Sequence, residues 1–268
     1  MHPSALDKAK AFVEAYLRPY ESQPLTILDV GSMSVAQAHA THRPMFDRPG
    51  WMYVGADIAA GPNVDIVLDR PYDWHNVRDE DYDVVISSQA FEHIEYPWVT
   101  IFEIGRVLKR NGLACLIAPA GGALHRHPYD CWRYFPDGFS ALCKTLGFRE
   151  LEVHTQWRRV YRGGTEMMDS VLIMQKPDWD PERSRIEAMR ARLARSLVPG
   201  AFDERTIGAP IGITRQAPSI IRSTKGQGAI SRREEQVRAE RGGLSIRMSM
   251  IAQHVRGLGR AVRHKDRA

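Results

Sequence analysis

The chain has 268 residues, 43% hydrophobic and 26% charged, which suits one or two globular domains with a sizeable core. No apolar run approaches the ~18–20 residues of a membrane-spanning helix, and the Met1-His2-Pro3 start lacks the basic-then-apolar leader of a secretory signal. The formal charge of +5 is unevenly placed: residues 178–268 carry 19 basic and 10 acidic side chains and residues 1–177 carry 18 and 22, so the basic character says nothing of nucleic-acid binding by the N-terminal region.

Ala9, Phe12, Val13, Tyr16 and Leu17 recur at helical spacing and Pro19 ends the pattern, which predicts an amphipathic helix ahead of the first strand. Leu25–Val30 reads as a buried strand turning at Gly31, followed by a helix-sized gap and a second strand, Met52–Ala56, closed by Asp57. This is the opening of a nucleoside-binding α/β domain. Only Gly31 of a dinucleotide fingerprint is present, followed by Ser32, Met33, Ser34, Val35 and Ala36. A carboxylate at Asp29 repels a pyrophosphate but favours a ligand carrying an ammonium and a sulfonium, which points to S-adenosylmethionine rather than NAD. Asp57, about 25 residues after the turn, is placed to accept from both ribose hydroxyls, with Ile58 beside it.

Val64–Leu68 predicts a short third strand. The Asp69-Arg70-Pro71-Tyr72 loop after it would either lie over an adenine, with Tyr72 or Trp74 stacking and Asp69 accepting from the exocyclic amine, or be a polar turn with two core aromatics. The continuous apolar run Tyr82–Ile86 is a fourth strand buried on both faces. It runs into Ser87-Ser88-Gln89-Ala90-Phe91-Glu92-His93, on the edge where ligands bind in open α/β sheets. His93 is a candidate general base, and bracing of the next segment is the plain alternative for Glu92 and His93. Pro97 opens a helix through Leu108, which Asn111-Gly112 should end. Leu113–Ala118 is a fifth strand.

The polar insertion after it carries His125, Arg126, His127, Tyr129, Asp130, Trp132, Arg133 and Tyr134, a concentration that suits an acceptor pocket. His125, His127 and Asp130 offer a weak metal-ligand pattern. Pro136–Leu146 is a helix closed by Gly147, and Phe148–His154 with Ser170–Gln175 a last strand pair. The segment between that pair, with Arg158 and Arg159, falls on the ligand edge if the last strand is antiparallel; its arginines suit a hydroxylated or anionic acceptor. The three cysteines, Cys115, Cys131 and Cys143, lack metal-ligand spacing and fit a reducing, cytoplasmic setting.

The segments L-D-V-G-S, Y-V-G-A-D-I, Y-D-V-V-I-S-S-Q-A-F-E-H-I, G-R-V-L-K-R-N-G-L and H-P-Y-D-C-W-R-Y-F-P-D-G-F stand in order over residues 20–176. Together the region resembles the class I S-adenosylmethionine-dependent methyltransferases, within them the broad type 11 methyltransferase-domain group. The resemblance implies a Rossmann-like α/β fold, a seven-stranded, mostly parallel sheet with one antiparallel strand. It implies cofactor contacts from Asp29, Gly31, Ser32, Asp57, Ile58, Asp69, Arg70 and Ser87. Met33 and Val35 stand where the family's later glycines would be.

His-x-His-Pro-x-Asp-x-Trp-Arg (His125–Arg133) looks like members found with cell-surface polysaccharide or secondary-metabolite genes, which implies a sugar or glycan hydroxyl as acceptor. On that reading His93 and then His127 are the catalytic bases, and His125, Tyr129, Asp130, Trp132, Arg133 and Arg159 contact the acceptor. Ubiquinone-pathway O-methyltransferases carry a metal-holding Glu-x-x-Glu-His, of which Glu92 and His93 match while Gln89 replaces the first Glu, so a divalent metal is weakly supported. The alternatives are an N- or C-methyltransferase for small molecules, or a cofactor-binding scaffold without turnover.

Residues 178–268 form a basic extension beyond the 1–177 domain. Pro181–Leu197 and Ser231–Arg241 are helix-prone, and residues 198–228 are rich in Gly, Pro, Ser and Thr. Leu244, Met248, Ile251, Val255, Leu258 and Val262 alternate in 4/3 spacing among arginines. That basic amphipathic pattern suits self-association or docking, or an anionic membrane surface at the inner membrane face, ahead of nucleic acid.

Overall fold

The computed structural model describes residues 3–34, 41–156 and 168–198. The apolar runs fold as strands: Leu25–Val30 (β1), Trp51–Asp57 (β2), Ile66–Val67 (β3), Tyr82–Ser88 (β4), Leu108–Pro119 (β5), Arg149–Thr155 (β6) and Asp169–Gln175 (β7). They make one sheet in the order β3-β2-β1-β4-β5-β7-β6. The first five run parallel, and β7 runs antiparallel to both β5 and β6. The seven-stranded, mostly parallel α/β architecture expected of the sequence is therefore present.

Alternation along the central strands divides the core between two faces. Leu28, Val85, Leu116 and Leu172 face one cluster, whose helices are Pro97–Val107 (α3), Pro136–Leu146 (α4) and Pro181–Ser196 (α5). Their neighbours Ile27, Ile86, Cys115 and Ile173 face the other, with Ala5, Ala9 and Phe12 of Pro3–Phe12 (α1) and Phe46 of Arg43–Phe46 (α2). The N-terminal helix continues as a π turn over Val13–Leu17 and a 3-10 turn over Arg18–Tyr20, and its buried face is the apolar set read from the sequence, with Ala5 added and Tyr16 only partly covered. Gly147 closes α4 at φ 66°, a left-handed position that glycine takes without a Cβ clash. Asp180 caps α5 by accepting from the Arg183 amide at 2.8 Å.

Three boundaries differ from expectation. The strand after β2 is only two residues long, because the ladder to β2 is confined to Ala56–Ile66 and Asp57–Val67. α3 stops at Val107, not near Asn111-Gly112: Leu108 is already paired with Tyr82, and the register resumes at Val84–Leu113. The intervening residues leave the ladder, with Asn111 at φ 62°. The helix expected directly after Gly31 falls largely on residues 35–40, outside the described residues; α2 follows at Arg43.

α5 lies in the basic extension and packs on α3 and α4. Ala191 joins the core, Arg190 donates to the Thr145 carbonyl at 2.7 Å, and Arg195 reaches Asp73 at 2.8 Å and Glu103 at 3.0 Å. Arg159 and the 4/3 pattern of Leu244–Val262 lie outside the described residues. Among the described residues no helix is long and apolar enough to cross a membrane.

Candidate active site

At the C-terminal ends of β1, β2 and β4 a cavity of about 520 Å³ opens, walled at one end by Gly31, Ser32, Met33, Asp57, Ile58, Leu68, Tyr72 and Trp74 and at the other by Glu92, His93, His125, His127 and Tyr129. Since β1 separates β2 from β4, the Asp57 and His93 ends are about 10 Å apart along the sheet.

The first end begins with the turn after β1. Gly31 sits at φ 78°, and a Cβ there would lie 2.3 Å from the Ala90 Cβ. Glycine is required by backbone conformation and by the approach of the β4 loop together. The Gly31 and Ser32 amides both donate to the Ala56 carbonyl, which locks the turn onto β2. The Asp57 carboxylate accepts from the Met33 amide at 2.9 Å and the Ile58 amide at 2.8 Å. Burial pushes its carboxyl up while these amides hold it down. A carboxylate has about four acceptor sites, so two such bonds leave lone pairs for a ligand's hydroxyls.

Other residues singled out in the sequence face elsewhere. The Asp29 carboxylate does not line the cavity: it is buried against His42 Nδ1 at 2.9 Å and the Tyr53 hydroxyl at 2.5 Å. Asp69 and Arg70 are also outside the wall. Asp69 lies 3.7 Å from His75 and Arg70 reaches Asp73 at 3.4 Å, both at exposed positions, whereas Leu68, Pro71, Tyr72 and Trp74 supply the wall itself. Ser87 donates to the Val30 carbonyl at 2.8 Å, and its neighbour Ser88 is the one that meets the cavity.

The second end is built from two loops. Phe91–His93 forms a 3-10 turn after β4. The Glu92 carbonyl accepts from the Cys131 amide at 2.7 Å and the Trp132 amide at 3.1 Å, which ties that turn to the insertion after β5. Within the insertion Asp130 accepts two bonds from Arg133, at 2.5 and 2.9 Å, and one from the His125 amide at 2.8 Å. The Arg133 guanidinium holds the Asp130 carboxyl down at about 2. Asp130 and Arg133 are therefore braces of the loop, outside the cavity wall. Trp132 is also outside it, with its indole N–H fixed on the Ile94 carbonyl at 2.8 Å and its ring against Trp98. Tyr129, His125 and His127 do line the cavity, as expected.

His93 Nδ1 stands 2.5 Å from the Tyr129 carbonyl, and His125 Nδ1 stands 3.1 Å from the Ala123 carbonyl. A carbonyl only accepts, so each Nδ1 carries the proton and each Nε2 of a neutral ring presents a lone pair. Burial pushes the His93 ring down, toward the neutral form. Glu92 is fully buried, neither of its carboxylate oxygens has a hydrogen-bond partner among the described residues, and burial pushes its carboxyl up to about 8. Glu92, His93 and His125 can offer donor atoms within 4.8 Å of one another. The sequence places Glu92 with His93 near the reacting centre, with bracing as the alternative, and singles out His125 separately; that His125 reaches Glu92 is not legible there.

The wall fits an adenosyl sulfonium ligand. Ser88 Oγ, Gln89 Oε1 and Thr100 Oγ1 belong to cavity-lining residues and are buried without a hydrogen-bond partner among the described residues, and Asp57 keeps lone pairs where β2 ends. Buried polar atoms in native proteins are normally paired, so their concentration here marks a polar ligand's place.

A methyltransferase-domain family model matches residues 28–116. No curated protein matches the chain in sequence. Among solved structures, the 1,6-didemethyltoxoflavin-N1-methyltransferase of Burkholderia thailandensis, solved with S-adenosylhomocysteine, is 15% identical over 65% of this chain and 79% of its own, at a TM-score of 0.49. S-adenosylmethionine-dependent methyltransferases from Methanosarcina mazei and Archaeoglobus fulgidus are each 15% identical at a TM-score of 0.47. They cover 61% and 64% of this chain and 97% and 94% of their own. The domain match over residues 28–116, the sheet order and an acid-closed β2 opening on the cavity give this chain a domain of the S-adenosylmethionine-dependent methyltransferase type.

Proposed function

We propose that this enzyme methylates a hydroxyl oxygen of a sugar or glycan. The observation that carries this reading is the cluster of the His93, His125 and His127 rings, the first two beside Glu92, at the end of the cavity away from Asp57. A hydroxyl is a poor nucleophile while protonated, and a positioned base is worth roughly 10²–10⁴-fold. An aromatic series leads out from this cavity: Tyr72 lies 5.3 Å from Tyr96, Tyr96 lies 5.7 Å from Trp98, and Trp98 lies 6.2 Å from Trp132. The last two are 42% and 39% exposed, and their exposed surface would suit the C–H face of a sugar ring.

Asp57, the Gly31–Met33 turn and Ser88 would hold S-adenosylmethionine. The cofactor, when bound, supplies an activated methyl group on a sulfonium sulfur. The chain's own work is to align the acceptor, exclude water and take its proton. His93 is the first base, because its Nδ1–H is committed to Tyr129 and its Nε2 is left as the acceptor. His127, against His93 at a ring separation of 5.7 Å, is the second.

Calorimetric titration with S-adenosylhomocysteine should show micromolar binding that Asp57→Ala abolishes. Labelled methyl donor should then transfer to sugar acceptors ahead of amines. Transfer confined to nitrogen or carbon would overturn the oxygen assignment, and full turnover in both His93→Ala and His127→Ala would remove the base.

A further inference from the structure

We infer that Glu92, His93 and His125 form a binding site for a divalent first-row transition ion, open on one side to the cavity. This goes beyond the methyl-transfer reading, since the site rests on side-chain geometry alone; only its use in presenting an acceptor oxygen depends on that reading.

Three independent features converge. His93 Nε2 and His125 Nε2 stand 3.7 and 3.8 Å from the same Glu92 Oε1. These separations are too long for hydrogen bonds. Donors held at ~2.0–2.1 Å from one ion lie roughly 3–3.4 Å apart, so each imidazole nitrogen needs to approach Glu92 Oε1 by only a few tenths of an ångström, and all three donors already lie within 4.8 Å of one another. Next, both imidazoles donate their other ring N–H to a backbone carbonyl, the second contact that metal-ligating histidines almost always make. Finally, the Glu92 carboxylate is sealed from solvent with both oxygens unpartnered. Ionised in that place it would lack a counter-charge, and a cation between it and the two lone pairs would satisfy all three groups.

The surrounding braces fit the same purpose. Asp130 fixes the His125 backbone and the Arg133 guanidinium, and Arg133 also donates at 3.0 Å to the Ala123 carbonyl that orients the His125 ring. Gln89 takes no part: its amide donates to Asp169 at 2.9 Å. Two nitrogens and one carboxylate suit Zn²⁺, Mn²⁺, Fe²⁺ or Co²⁺; Mg²⁺ and Ca²⁺ prefer all-oxygen sets. On the cavity side such an ion would draw an acceptor hydroxyl toward ionisation, leaving His127 to take the proton as His93 becomes a ligand.

The test uses the full-length chain with any affinity tag removed and bound metal stripped by chelator. Titration with Co²⁺ should give about one equivalent with a visible d–d spectrum, displaced by Zn²⁺ and untouched by Mg²⁺. Glu92→Gln and His125→Ala, each checked for folding by circular dichroism, should weaken Co²⁺ binding by at least ~10–100-fold. His125 is on a loop, so its variant keeps the test open if Glu92→Gln unfolds. Asp57→Ala should keep the cobalt spectrum and lose S-adenosylhomocysteine. A folded wild-type chain that takes up neither Co²⁺ nor Zn²⁺, or uptake unchanged in both variants, overturns the ion site. Binding of S-adenosylhomocysteine without metal uptake would sink the ion site alone; metal uptake without S-adenosylhomocysteine binding would sink the cofactor assignment alone.

Discussion

Glu92 and Glu103 are both fully buried, and their surroundings are opposites. Glu103 Oε2 accepts from Arg106 at 2.7 and 3.0 Å and from the Trp74 amide at 3.2 Å, and its Oε1 accepts from Arg195 at 3.0 Å. Glu92 has two imidazole nitrogens just beyond hydrogen-bond range and no hydrogen-bond partner among the described residues. Burial alone does not separate a structural carboxylate from a working one. Satisfaction does: Glu103 ties α3 and α5 to the Trp74 wall, while Glu92 keeps its acceptor capacity for something brought into the cavity.

The largest way to test that contrast is Glu103→Ala. It takes a buried carboxylate away from Arg106 and Arg195, which keep Asp79 and Asp73, and should lower unfolding free energy by about 3 kcal/mol in urea denaturation. A loss under ~1 kcal/mol would mean the network is only as strong as an exposed ion pair. Asp130→Asn comes next. It weakens a two-bond Arg133 contact, worth about 1.5–3 kcal/mol, and frees the His125 loop. Methyl transfer should fall about 10–100-fold with it; a stability loss with undiminished turnover would show that the brace does not position His125. Arg195→Ala should lose only about 1 kcal/mol, because Arg106 remains on Glu103 and Arg195 is itself 23% exposed. If it equals Glu103→Ala, α5 rather than the carboxylate anchors the network.

The sheet and the two ends of the cavity were legible because they follow local rules. Apolar runs gave the strands, Gly31 gave the turn, and Asp57 follows from its place at the end of β2. Side-chain direction was less legible. Ser87 and Ser88 are adjacent on a strand and point to opposite faces, so one donates to Val30 while the other meets the cavity. Asp29 reads as a ligand carboxylate until His42 and Tyr53, distant in sequence, are folded onto it. Asp130 and Arg133 have the chemistry of acceptor contacts but spend it on each other. The Glu92–His125 approach joins a 3-10 turn after β4 to a loop after β5, and no spacing rule connects two such segments.

Glu92→Gln should give the smallest stability change and sharpen the contrast most. The amide keeps the shape of the carboxyl and removes an ionisable group that burial disfavours, so metal-stripped protein should unfold within ~1 kcal/mol of wild type, or slightly later. Initial rates with labelled methyl donor should nonetheless fall by roughly 10² or more, since the cluster would lose the carboxyl that faces both imidazole Nε2 atoms. The same pair of measurements on Glu103→Gln should show the reverse pattern, with stability lost and the surviving folded fraction still turning over. If Glu92→Gln instead destabilises as strongly as Glu103→Ala with its folded fraction fully active, Glu92 braces the loop and the two buried acids do one job. Lost turnover on an intact fold would mean that the unpartnered carboxylate is kept for the reaction at the expense of the fold.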